Sequence, residues 1–342
     1  MLALTPVEWD LLLRQARRAS AVGRLGALLD EPGAIDGVPA KVREHLEAAE
    51  ALVQQQHRLM RWEVTRIRRA LANTGVGIVL LKGAAYLLAA LPPAKGRLFS
   101  DVDIMVPKTR LPEVEATLLR EGWEFLDMDA YDDRFYRVWS HELPPMRHRD
   151  RHIVVDIHHN ILPPTGRLHP EASLLLAMAR PLPGSPLKVL APPDMVLHSA
   201  SHLFQSGDLH SGLRDLTDLD ALMRHFAADT EFWNLLSSRA VELGLTRPLF
   251  YALRFAHRLL GTPIDRQALD RAMAWAPAAP LRVMMDFLVT EALTPQSTGQ
   301  ASQRNRLARW LLYVRHHWQR MPPLLLARHL LHKSVSRGRA TH

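Results

Sequence analysis

The stretch Ser100-Asp101-Val102-Asp103-Ile104-Met105-Val106 sets two carboxylates into an otherwise apolar run. A strand turns residues i and i+2 to one side, so Asp101 and Asp103 stand together while Val102 and Ile104 face away. Like charges at that spacing repel, and apolar surroundings sharpen the repulsion. A hard divalent cation relieves it, and Mg²⁺ is typically held by one or two carboxylates plus substrate phosphates. Asp156, in Ile153-Val154-Val155-Asp156-Ile157, is a third carboxylate with no packing reason to be in its strand. If the two strands are neighbours, three acids converge in an arrangement able to hold two metal ions.

The surroundings of these strands set the fold class. Apolar residues at helical spacing predict one helical segment over Pro6–Leu29 and a longer one over about Val42–Ala72, stopped by Asn73-Thr74-Gly75. The period then changes. Gly77-Ile78-Val79-Leu80-Leu81 suits a strand covered on both faces. Ala84–Leu91 follows as a short helix, Asp101–Val106 as a strand and Thr109–Arg120 as an amphipathic helix. Trp123–Leu126, Phe135–Trp139 and Ile153–Ile157 read as further strands, with His141–His152 as a turn or hairpin. From Pro192 the period is helical again, in segments near 194–205, 213–226, 230–243, 248–260, 265–273 and 280–293. The fold class is thus α+β, a small mixed sheet between N-terminal and C-terminal helical regions. The predicted organisation is a helical region over 1–74, an α/β core over 75–180, a helical domain over 192–300 and a basic amphipathic segment over 301–342. The Pro/Gly/Ser-rich stretch 181–193 marks the boundary.

Composition excludes several classes. Without cysteine there is no disulfide scaffold, thiolate metal site or thiol nucleophile, which suits a reducing cytoplasm. No segment approaches the ~20 apolar residues of a membrane span, and Leu324–Ala327 is bounded by Pro322-Pro323 and Arg328. Met1–Asp10 lacks the order of a secretory signal. The net charge of +8 belongs to the C-terminal segment: after Glu291 there are nine cations and no acid, which leaves residues 1–301 at −1.

Upstream of the acids, Gly83 lies between a strand and a helix, where its backbone can approach a phosphate closely. Lys82 adds a point charge and Arg97 a fork of donors for a triphosphate. In order, the motifs are Leu80-Leu81-Lys82-Gly83-Ala84-Ala85-Tyr86, then Gly96-Arg97-Leu98-Phe99-Ser100-Asp101-Val102-Asp103-Ile104-Met105-Val106, then His141-Glu142-Leu143, then Val155-Asp156-Ile157-His158. This series resembles the nucleotidyltransferase superfamily with the DNA polymerase β-like fold. More closely it resembles the bacterial family of uncharacterised nucleotidyltransferases known as nucleotidyltransferase family 5. The likeness covers roughly 75–220 and extends into His198–Asp218. Ala84 departs from the pattern, standing where a Gly or Ser is usual and supplying no hydroxyl for phosphate, and His159 stands where an aromatic residue is common.

The resemblance implies that Asp101 and Asp103 bind the metals that carry a nucleoside triphosphate. Asp156 would assist one metal and help activate the acceptor hydroxyl. Lys82, Gly83, Arg97, Ser100 and His158 would meet the nucleotide. The implied cofactor is Mg²⁺, with Mn²⁺ as the alternative, and the implied reaction moves a nucleotidyl group to an acceptor with release of pyrophosphate. The acceptor, whether small molecule, peptide or RNA, is not marked by any residue. Competing readings are a metal-dependent phosphodiesterase using the same carboxylates and a silent module that binds RNA or a membrane.

Other polar features have plainer readings. His198 and His202 share one helix face and, with His210, Asp215 and Asp218 nearby, are expected to pack against the sheet or line the cleft rather than ligate a metal. Arg214 and Asp218 are one turn apart, an expected ion pair. Arg147-His148-Arg149-Asp150-Arg151-His152 reads as a solvated turn. The segment 304–320, mixing cations with Trp310, Tyr313 and Trp318, reads as a docked helix with its basic face in water, or as contact for an anionic partner.

Overall fold

The computed structural model describes residues 4–30, 37–205, 209, 211–295, 302–320 and 326. His210, the tail cations from Arg328 onward and most of Leu324–Ala327 lie outside the described residues. The N-terminal helical segment is two helices, α1 (Pro6–Arg18) and α2 (Val22–Leu29). Thr5 caps α1 in a capping box with Glu8. The break falls at Ser20, whose φ is +52°. Beyond it, α2 seats Gly23 against Gly96; a Cβ on Gly23 would lie 2.5 Å from the Gly96 carbonyl oxygen. Helix α3 (Ala40–Ala70) runs close to its expected bounds and ends through Gly75 at φ +66°.

Among the described residues the sheet holds seven strands: β1 (Val79–Leu80), β2 (Asp101–Met105), β3 (Trp123–Phe125), β4 (Met146–His148), β5 (Val154–His158), β6 (Arg180–Pro181) and β7 (Lys188–Val189). Their order is β3-β4-β5-β2-β1-β7-β6. Strand β2 pairs antiparallel with β1 and parallel with β5, which places Asp103 opposite Asp156 and Met105 opposite His158. Helices α4 (Lys82–Leu88) and α5 (Leu111–Arg120) lie between the strands. The sheet is mixed and the fold is α+β with helical flanks, as expected.

Three local readings are corrected. Phe135–Trp139 is not a strand but the end of α6 (Ala130–Trp139). Its aromatic residues favour strands in isolation. The Asp129 cap and the Asp133–Arg137 pair one turn apart favour the helix. The stretch 181–193 contains strand after all. Pro181 sits in edge strand β6, where no ladder donor is required, and Lys188 N donates to Ile78 O at 2.9 Å. The run 147–152 is not wholly solvated either. It begins in β4, and Arg151 turns inward to the buried Glu63 on α3, with Nε 2.7 Å from Oε2.

After α7 (Ala172–Met178), the expected helices follow as α8 (Pro192–Gln205), α9 (Gly212–Phe226), α10 (Phe232–Glu242), α11 (Thr246–Leu260), α12 (Arg266–Ala274) and α13 (Ala279–Leu293). One apolar cluster runs from α3 through both faces of the sheet into these helices, including Ile104, Ile157, Leu197, Leu219 and Phe250. Helix α14 (Gln303–Arg320) docks through Asn305, Ala308, Leu312 and His316. Its outward face is not simply basic. Leu307, Trp310, Val314 and Trp318 are exposed, whereas Arg309 and Arg315 turn back to the carbonyls of Ala292 and Phe204.

Candidate active site

Parallel pairing of β2 with β5 brings the three acids together. Ligand oxygens of Asp101, Asp103 and Asp156 all lie within 4.8 Å of one another. Asp103 is the most buried, at 4% exposure. Its Oδ1 accepts from His158 Nε2 at 2.9 Å and from Lys82 Nζ at 3.4 Å. Asp101 accepts from Ser100 Oγ at 3.1 Å. Asp156 Oδ1 is shielded from solvent and has no hydrogen-bond partner among the described residues.

The carboxylates titrate apart. Burial would raise Asp103, but the Lys82 ammonium and the His158 hydrogen bond hold it well below the usual range. Burial, then Asp103, pushes Asp101 up. Burial, then Asp103 and Glu142, pushes Asp156 up to about 7. Burial pulls Lys82 down, yet Asp103, Asp101, Glu142 and Asp156 together keep it above its ordinary value. The site thus crowds three carboxylates beside the Lys82 ammonium. Its donors at the trio are all oxygen, and one of them is buried without a partner. These properties fit a hard divalent ion.

The strand-end turn is held from α3. Gln56 Oε1 accepts from Phe99 N at 2.7 Å, and His57 Nε2 lies 2.8 Å from Arg97 O and stacks on Phe99. The Phe99 ring then fills the space over Gly83, where a Cβ would lie 2.3 Å from Phe99 Cδ1 and 2.9 Å from Arg97 Nη1. Gly83 is thus required by close packing with Phe99 and Arg97. Lys82 beside it is at φ +39°, a left-handed conformation that costs a lysine about 1–3 kcal/mol. Such strain persists where the surroundings enforce it; here Lys82 reaches Asp103.

Lys82, Gly83, Arg97, Ser100, Asp101 and Asp103 line one cavity of about 100 Å³. Its far wall is Tyr86, Ser199, Arg214, Asp215 and Asp218; the sequence placed Asp215 and Asp218 near the cleft but did not mark Tyr86 or Ser199 as wall residues. Arg97 is not a free fork of donors. Its Nε is 2.7 Å from Asp218 and its guanidinium lies over the Phe99 ring. Asp218 also meets Arg24 at 2.7 Å, so the expected Arg214–Asp218 pair is replaced; Arg214 instead binds Asp215 at 2.9 Å. His202 lines the cleft as expected, and the charge of Lys82, then burial, holds it down at about 4. His158 stands behind Asp103 and lines a second cavity with Lys82, Glu142, His141 and Arg320.

A strand-end glycine, an Asp-x-Asp strand and a third Asp on the adjoining strand form the arrangement that the sequence resemblance implied. A family model described as uncharacterised nucleotidyltransferase matches residues 5–261, well over half of the chain, and the protein belongs to that family. Neither the curated proteins nor the solved structures contain a match. Family membership supports nucleotidyl transfer as the general role. No described helix is long and apolar enough to cross a membrane.

Proposed function

We propose that the protein is a Mg²⁺-dependent nucleotidyltransferase of the cytoplasm that moves a nucleoside monophosphate from a nucleoside triphosphate to an acceptor hydroxyl or phosphate. The observation that carries this reading is the buried, unpartnered Asp156 Oδ1 beside Asp101 and Asp103. Asp101, Asp103 and Asp156 would hold the divalent ions, whose chemistry is to neutralise phosphate charge and favour attack by the acceptor oxygen. In the transfer, a bond forms between the acceptor oxygen and the α-phosphorus while the bond from that phosphorus to the bridging oxygen breaks, and pyrophosphate leaves. Asp156, as a ligand of one ion, would help to activate the acceptor hydroxyl. Lys82 neutralises Asp103 in the resting site and lines the cavity where phosphates would enter. Ser100 and the backbone at Gly83 border the same cavity, and Arg97 closes it from the side of Asp218. The exposed aromatic and basic residues of α14 make an anionic partner for the C-terminal segment a separate proposal.

The test uses each ribonucleoside triphosphate labelled at the α-phosphate, with Mg²⁺, and follows pyrophosphate release and label transfer to co-purified molecules by mass spectrometry. Asp101→Asn and Asp103→Asn are expected to abolish transfer while the fold, read by circular dichroism, is retained. Undiminished transfer in either variant rejects the assigned roles. Release of nucleoside monophosphate without a labelled acceptor favours the phosphodiesterase reading.

A further inference from the structure

Behind the acid trio a second group of ligand side chains converges on His158. One ligand atom each from His141, Glu142 and His158 lies within 4.8 Å of the other two. Backbone pairing fixes the group: Glu142 bridges His158 antiparallel, and His159 N donates to His141 O at 2.8 Å. His158 is 2% exposed, and its Nε2 is hydrogen-bonded to Asp103. A carboxylate only accepts, so Nε2 carries the hydrogen. Nδ1 of the same ring is aimed at Glu142 Oε2, 3.3 Å away, without making a hydrogen bond. Nδ1 of His141 is likewise shielded and has no partner among the described residues.

Two occupants could sit among these atoms. A second proton on His158 would answer Glu142 but leave the His141 nitrogen orphaned. A cation among the three would take one nitrogen from each imidazole and an oxygen from Glu142. The hydrogen bond from His158 Nε2 to Asp103 is also what metal-binding imidazoles commonly show, since a carboxylate on the far nitrogen fixes the tautomer and directs the lone pair to the metal. Two imidazoles and one carboxylate form a donor set found in open zinc sites, and nitrogen donors favour Zn²⁺-class ions over Mg²⁺. The three residues line a cavity of about 170 Å³ together with Arg167 and Arg320, so a further coordination position would face open space.

We propose that His141, Glu142 and His158 form a second cation site, for a Zn²⁺-class ion with one position open to this cavity. The site differs in chemistry from the oxygen-only trio and does not depend on the transfer reaction being as proposed. Its open position is fit to take water or an anionic oxygen of the molecule that occupies the cavity.

The experiment titrates Co²⁺, as an optical stand-in for Zn²⁺, into the metal-stripped full-length protein. Four-coordinate visible absorption saturating near one equivalent is expected in the wild type and in the Asp101→Asn/Asp156→Asn double variant, which keeps Asp103. It should persist in excess Mg²⁺. Glu142→Gln and His141→Ala should each bind at least roughly tenfold more weakly. Circular dichroism melts in chelator check that each variant is folded. Zn²⁺ should raise the melting temperature of the wild type but not of Glu142→Gln, a variant at a partly exposed position. Absence of the bands overturns the proposal. So does their loss in the double variant with retention in His141→Ala, which would assign the ion to the acid trio. Bands unchanged in every variant would mean an adventitious ion only.

Discussion

At the scale of single residues, Asp156 makes the sharpest claim. Its carboxyl ionises near 3.8 in an unfolded chain and at about 7 in the folded, metal-free protein. A raised carboxyl leaves stability intact below the unfolded value and removes it progressively as pH climbs between the two. In chelator, Asp156→Asn is therefore expected to melt with the wild type at about pH 4 and above it at about pH 8, by on the order of 2–4 kcal/mol at ~1.4 kcal/mol per pH unit. Identical melting at both pH values would show that the group carries no burial penalty. A divalent ion must displace the same proton, so Mg²⁺ affinity, measured by calorimetry, should climb roughly tenfold per pH unit up to about 7 and then flatten. A flat profile would take Asp156 out of the ligand set.

At the scale of elements, the joint between α3, the turn before β2 and the start of α4 decides how the site is held. A methyl on Gly83 meets the Phe99 ring and the Arg97 guanidinium. Gly83→Ala is expected to cost about 1–3 kcal/mol by overpacking, and to recover part of that in the Gly83→Ala/Phe99→Leu double variant. Equal thermal melts for Gly83→Ala and wild type would remove the packing role. The elements that position the acids were legible because their patterns are local. Asp101 and Asp103 alternate with Val102 and Ile104, and Asp156 interrupts an apolar run. The partnerships that complete the site were not legible, since they join distant segments: Asp218 on α9 holding Arg97, and Glu142 meeting His158 across an isolated bridge. The misread helix α6 shows the other limit. Aromatic residues fit either period over five positions, and only the cap at Asp129 with its acidic first turn settles the choice.

At the scale of the whole molecule, helix α14 forms part of a cavity wall as well as docking on the body. Arg320 and Gln319 wall the larger cavity, Arg167 N donates to Gln319 O at 3.1 Å, and Thr165 Oγ1 donates to Arg320 O at 2.9 Å. Deleting residues 302–342 is expected to lower the melting temperature and open that cavity. Leu312→Ala should cost about 2–5 kcal/mol with the wall intact. Melting unchanged by the deletion would show that α14 docks without stabilising the body. The pairing of β2 with β5 carries a last consequence. Side chains alternate along a strand, so a one-residue slip of β5 would swing Asp156 and His158 to the opposite face while leaving a compact, largely helical chain. Such a molecule would pass a helicity measurement yet take up no ion at the trio. Cation uptake would therefore count the correctly threaded fraction of a refolded sample, which the circular dichroism signal alone would overstate.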